Sequence, residues 1–239
     1  MERLSFLVGI IGNIISVLMF LAPAKTFWRI VKRRSTEEFD SFPYIATLLN
    51  SSLWTYYGII RPNSYLVATV NGFGVAVEIV YITLFLVFAC QKMRVRTSTL
   101  VALLDVGFLA IVVVATQFTM IDAATRINVI GFLSSGLNII MYGSPLAAMK
   151  GVLTTRSVEY MPFLLSFFFF LNGGIWTFYA LLVHDWFLGL PNGIGFVLGI
   201  IQLVIYAIYR PHQSSHKLNN LEEGTQREQL LPSSSDLVQ

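Results

Sequence analysis

Seven stretches of the chain are long and apolar enough to cross a hydrocarbon core of about 30 Å: residues 4–23, 42–60, 65–89, 100–120, 127–149, 160–183 and 187–209. Lipid offers no hydrogen-bond partners, so each stretch must satisfy its backbone internally, and helices are the solution for separate apolar runs of this length. A soluble globular domain is excluded. Composition agrees, with 55% hydrophobic residues, 12% charged residues and a mean hydropathy of +0.69. The first run lacks a basic start and a small-residue cleavage site, so it reads as a span rather than a signal peptide.

Basic residues fix an expected orientation. Lys25, Arg29, Lys32, Arg33 and Arg34 follow span one; Lys92, Arg94 and Arg96 follow span three; Lys150 and Arg156 follow span five; Arg210 and Lys217 follow span seven. The opposite loops hold little beyond Arg61, Arg126 and the pair His184–Asp185. Positive residues mark the cytosolic side. The N-terminus is therefore expected outside or in an organelle lumen, and the C-terminus in the cytosol.

The chain repeats itself. NSSLWTYYG at Asn50–Gly58 returns as NGGIWTFYA at Asn172–Ala180, which places Trp54 over Trp176 and Tyr57 over Tyr179 at a shift of 122 residues. VNGFG at Val70–Gly74 returns as PNGIG at Pro191–Gly195, aligning Asn71 with Asn192. Asn138 falls over Ser16, Met141 over Met19 and Pro145 over Pro23, although the loop before Pro43 is three residues longer than the one before Pro162. Repetition on this scale predicts two copies of a three-helix unit, spans 1–3 and 5–7. Span four has no counterpart. Three is odd, so direct fusion would invert the second unit, and one extra crossing restores its orientation. The expected fold is an all-α membrane protein of two parallel triple-helix bundles. Its expected parts are 1–97, a linker helix 98–122, 123–210, and a disordered cytosolic tail 211–239 whose Leu230-Leu231 reads as plain solvated tail or, alternatively, as a sorting signal.

Trp54, Asn71, Trp176 and Asn192 are expected to meet in one mid-membrane cavity. An isolated Asn in a span reads first as a helix–helix hydrogen bond, but a symmetric pair, each followed by Gly and matched with a symmetric Trp, points to a ligand site. Two indoles offer flat apolar walls for the C–H faces of a sugar ring, and two carboxamides offer donors and acceptors for its hydroxyls. Trp28 and Trp186, near span ends, read as interfacial anchors. Glu78 is the ionisable exception inside a span. It reads as a structural hydrogen-bonded group or, alternatively, as the coupling site of a proton-linked small-solute carrier. Asp105 is expected at the interface. Pro23, Pro43, Pro145 and Pro162 all fall at cytosolic span ends and suggest a ring of hinges, while Tyr57, Tyr179 and Asp185 stand at the opposite mouth, placed to close it.

Along almost the whole chain up to Arg210 the residues closely resemble the plant SWEET sugar transporters. FLAPAKTFWRIVKRRSTEEF, LNSSLWTYYG, TVNGFG, NIIMYGSPL, TRSVEYMPF and LPNGIGF carry the likeness. The resemblance implies two triple-helix bundles joined by a linker helix, moving sugar down its gradient without coupling ions. It puts the sugar pocket on Trp54, Asn71, Trp176 and Asn192, further pocket positions on Ser16, Met19, Asn138 and Met141, and a proline tetrad on Pro23, Pro43, Pro145 and Pro162. Bulky Met19 and Met141 accord with monosaccharides, and the overall similarity is to the vacuolar-membrane, fructose-associated group; the plasma membrane is the alternative. The related PQ-loop exporters carry a Pro-Gln pair that is missing here, since Ala24, Tyr44, Leu146 and Phe163 follow the four prolines.

Other classes fit poorly. A seven-span receptor lacks a tandem repeat, and the single Cys90 cannot form a loop disulfide. A retinal protein needs a lysine in its last span. An enzyme is not expected, because His184, His212 and His216 all lie outside the spans. No cofactor, metal or nucleic acid is implied; the expected partners are a monosaccharide and the lipid bilayer, with a homo-oligomer left open.

Overall fold

The computed structural model describes residues 2–119, 122–158 and 161–230, with 211–230 described by their backbone alone. Every regular element among the described residues is helical. Span one is α1 (Glu2–Leu21) followed by α2 (Ala24–Arg33), interrupted at Pro23, whose ring and missing N–H break the ladder. Its repeat, span five, is broken in the same region into α7 (Ala123–Met141) and α8 (Gly143–Thr155), with Pro145 third in α8. The remaining spans are α3 (Phe42–Ile60), α4 (Tyr65–Phe88), α9 (Phe163–Leu182) and α10 (Trp186–Leu230). The linker is α5 (Gln91–Leu100), a π-helical stretch Val101–Phe108, and α6 (Leu109–Phe118).

Six helical segments among the described residues are long and apolar enough to cross a membrane, and α3 is not one of them. The reason is its position. α3 packs on α4, α7 and the linker, so it is walled by protein on several sides and tolerates Thr47, Asn50, Ser51 and Tyr57 where a lipid-facing helix would not; Ser51 and Tyr57 are fully buried. It completes the seven spans of the predicted fold.

The two units share one internal order. α4 lies between α1 and α3, and α10 lies between α7 and α9. The contacts between bundles are reciprocal: α1 packs on α9, and α7 on α3. The linker lies against α3 and α4 of the first unit. Backbone details repeat as well. Left-handed residues recur as Arg34 (φ 51°) with Arg156 (φ 54°), and as Asn63 (φ 61°) with His184 (φ 51°). Glu37 (φ 48°) has no partner because it sits in the longer first loop, where it pairs with Arg29 at 2.5 Å and Arg33 at 3.4 Å.

The seams inside the bundles are tight. A Cβ on Gly58 would stand 2.5 Å from the backbone nitrogen of Ala68, and one on Gly173 would stand 2.7 Å from that of Phe196. Only glycine permits α3 to approach α4, and α9 to approach α10, this closely. At the start of span five Asp122 caps α7, accepting from the Thr125 amide and hydroxyl, both at 2.9 Å; these bonds hold its carboxyl below the usual range.

Three local features add to the expectations. Asp105, expected at the interface, sits in the π-helical stretch, 9% exposed, with neither carboxylate oxygen hydrogen-bonded among the described residues. Span one, expected to end at 23, continues past its break as α2 to Arg33, and span five, expected to end at 149, runs on as α8 to Thr155. The backbone of α10 runs helically to Leu230, where the polar composition predicted disorder beyond Arg210; Glu, Gln, Leu and Lys are helix formers as well as polar-tail residues. Leu231 of the dileucine pair lies outside the described residues.

Candidate functional site

The seam between the bundles opens into a cavity of about 460 Å³. Trp54 (α3) and Asn71 (α4) line it from one unit, Trp176 (α9) and Asn192 (α10) from the other. Trp54, Trp176 and Asn192 are 3%, 5% and 9% exposed, so both indoles face inward rather than toward lipid. Ser16, Met19 and Asn138 line the same space. Met141 does not: α1 continues two residues past Met19, whereas α7 ends at Met141, and Tyr142 then ties the chain to the Pro191 carbonyl of α10 at 2.5 Å. Of the four prolines, Pro23 and Pro43 line the cavity, whereas Pro145 and Pro162 are absent from its walls.

Polar contacts across the seam mirror one another. The Ser16 hydroxyl of α1 donates to Asn172 Oδ1 of α9 at 2.6 Å, and Asn50 Nδ2 of α3 donates to Asn138 Oδ1 of α7 at 2.8 Å. These are the same repeat positions with the units exchanged. Trp176 adds an indole N–H donated to the Ser16 hydroxyl at 2.9 Å. Asn71 and Asn192 each donate Nδ2 to the carbonyl one turn back, Val67 at 2.9 Å and Leu188 at 2.8 Å. A carbonyl can only accept, so these bonds fix the amide orientation and leave both Oδ1 atoms, as acceptors, for the cavity.

One end is shut. The Tyr57 hydroxyl donates to both carboxylate oxygens of Asp185, at 2.9 and 3.1 Å, and thereby bridges the two bundles. Arg61, one helical turn beyond Tyr57, reaches Asp185 at 3.0 Å, the Tyr57 hydroxyl at 2.6 Å and the His184 carbonyl at 3.3 Å. The Leu188 amide donates to Asp185 at 3.1 Å, fixing the acid at the start of α10. Tyr57 is fully buried, and Tyr179 packs edge-on against Trp176 at 5.4 Å just as Tyr57 packs against Trp54 at 5.2 Å. From the Trp/Asn level the cavity extends the other way, toward Pro23, Pro43, Tyr44, Thr47 and Glu78.

Sequence reasoning brought Tyr57, Tyr179 and Asp185 to the same mouth but missed Arg61, whose signal was its position four residues after Tyr57 on the same helical face. It also passed over Asn50 and Asn172 as site residues, though both open the repeated motif.

The family model described as "Sugar efflux transporter for intercellular exchange" matches the chain twice, over residues 6–93 and 128–214, in one stretch per three-helix unit. The chain belongs to the SWEET family of sugar transporters. Among SWEET proteins it is 58% identical over 229 residues to the bidirectional sugar transporter SWEET17 of Arabidopsis thaliana, covering 96% of this chain and 95% of that one. It is 59% identical over 210 residues to SWEET16 of the same plant, covering 88% and 91%. A solved eukaryotic SWEET transporter superposes with a TM-score of 0.82 at 40% identity, covering 87% of this chain and 97% of that chain. The SWEET fold thus comprises the duplicated bundles described above, and the reading as a transporter rather than an enzyme holds.

Proposed function

We propose that the chain is a facilitative, bidirectional uniporter for monosaccharides, fructose, glucose or both, working by alternating access. The observation that carries this reading is the single cavity shared by the Trp and Asn of both repeats, neutral at its centre and latched at one mouth by Tyr57, Arg61 and Asp185. The ring sits between indole walls, and its hydroxyls donate to Asn71 and Asn192. Rocking of the bundles about the breaks at Pro23 and Pro145, with Pro43 and Pro162 at the starts of α3 and α9, opens the latched mouth as the proline mouth closes. The site binds weakly by design: millimolar affinity is about −4 kcal/mol, within reach of a few hydrogen bonds and one sandwiched ring, and a tightly held sugar would leave slowly.

The same reading places the proline face in the cytosol and the N-terminus in a lumen. The site of action in this reading is the vacuolar membrane, on the overall resemblance to the vacuolar-membrane group, with the plasma membrane as alternative. The units 1–97 and 123–210 move as bodies, and 98–122 links them.

Uptake of a labelled sugar panel into vesicles tests the function. Asn192→Ala and Trp176→Ala are each expected to abolish flux while the protein stays in the membrane; normal flux in both overturns the pocket. The buried Glu78 favours a second reading, a proton-coupled carrier. Counterflow with and without a pH gradient separates the two, because accumulation driven by the gradient belongs to the second alone.

A further inference from the structure

We infer that Glu78 is a sugar-contact residue, forming with Asn50 a second hydroxyl-accepting position on the proline side of the Trp/Asn level. The inference rests on the uniporter reading and extends it.

Glu78 follows Asn71 by seven residues on α4, hence on the same helical face and about 10 Å further toward the proline mouth. It lines the same cavity yet is only 3% exposed, and its Oε2 has no hydrogen-bond partner among the described residues. The nearby tyrosine of its own helix is committed elsewhere, since the Tyr81 hydroxyl donates to the Phe20 carbonyl at 3.1 Å. Asn50 also lines the cavity, and with its Nδ2 spent on Asn138 its Oδ1 is buried without a partner. Two buried orphan acceptors, both on residues that line one cavity, are costly unless something brings donors.

The second repeat sharpens the point. Asn172, the counterpart of Asn50, has its oxygen satisfied by Ser16. The counterpart of Glu78 is Gly199, where an added Cβ would stand 2.7 Å from the Phe170 backbone. Beyond the Trp/Asn level, these two unmet acceptors among the described residues thus both stand on the first unit, and a polyol, whose every hydroxyl carries a donor, is a neutral ligand able to meet both. A purely structural Glu78 would tie Oε2 to a neighbouring helix, and among the described residues it does not.

A cycle between residue and ligand tests this. Binding of a parent hexose and each of its monodeoxy analogues is measured on the membrane-inserted wild-type chain, on Glu78→Leu and on Glu78→Gln. Glu78→Leu is expected to weaken the parent hexose about tenfold, and Glu78→Gln, which keeps an acceptor oxygen, by about threefold or less. One analogue should bind wild type and Glu78→Leu alike, because it lacks the hydroxyl that Glu78 receives. If Glu78→Leu fails to fold, Glu78→Ala runs the same cycle. An unchanged parent affinity, or one uniform ratio across all analogues, overturns the inference. So does pH-gradient-driven accumulation that Glu78→Gln abolishes, which would assign the carboxyl to protons. Failure of the wild-type chain to bind any hexose would instead overturn the uniporter reading.

Discussion

Ser16 does more at the cavity wall than its size suggests. It receives the Trp176 N–H and donates to Asn172, so one hydroxyl sets the indole plane and links α1 to α9. Ser16→Ala leaves both partners buried without each other's bridge, at a cost of about 1–3 kcal/mol. We expect the sugar KM to rise several-fold with the protein still in the membrane; an unchanged KM in vesicle uptake refutes that role. At this scale the repeat made much of the site legible. Trp54, Asn71, Trp176 and Asn192 were found because each residue has its double, and a doubled polar side chain inside apolar surroundings is hard to explain by local packing. Arg61 escaped for the converse reason: its counterpart is Val183, and a lone arginine at a span end reads as a solvated charge. Met141 was placed in the pocket by the family resemblance, but α7 ends at it and it is absent from the cavity wall.

Among the helices, the order of spans was legible from the apolar runs and the repeat, and the breaks near Pro23 and Pro145 from the prolines, but the change of helix type in the linker was not. Nothing in the residues 101–108 announces a π-helical stretch, since the change from an i−4 to an i−5 bond alters neither composition nor apolar periodicity. The modest apolar character of α3 becomes intelligible only once its neighbours are known, because burial by protein replaces burial by lipid. The α3–α4 seam invites a direct test. Gly58→Ala puts a methyl 2.5 Å from a backbone nitrogen, which no rotamer change can relieve. Separation of α3 from α4 should cost about 1–3 kcal/mol and lower the unfolding temperature of the solubilised protein. Wild-type thermal stability would show that the seam gives without penalty.

For the molecule as a whole, the proposed alternating access makes the cluster at Asp185 the latch that sets which mouth is open. Its carboxylate is 1% exposed and serves Tyr57, Arg61 and the Leu188 amide together, so Asp185→Asn weakens the Tyr57 and Arg61 bonds to this side chain while keeping its shape, and leaves the Arg61 bond to the His184 carbonyl in place. We expect at least a tenfold shift, about 1.4 kcal/mol, toward conformers with this mouth open. Spin labels at Asn63→Cys and His184→Cys, with the exposed native Cys90 replaced, would report it as a longer distance across the mouth; an unaltered distribution would show that the latch does not hold the closed state. The reciprocal packing, α1 on α9 and α7 on α3, is the geometry of a two-fold homodimer drawn into one polypeptide. In a true homodimer any change appears twice, so neither half can acquire a carboxylate or a guanidinium alone. Fusion through an added crossing removes that constraint, and Glu78 opposite Gly199, like Arg61 opposite Val183, is what two formerly identical partners become once each can mutate by itself.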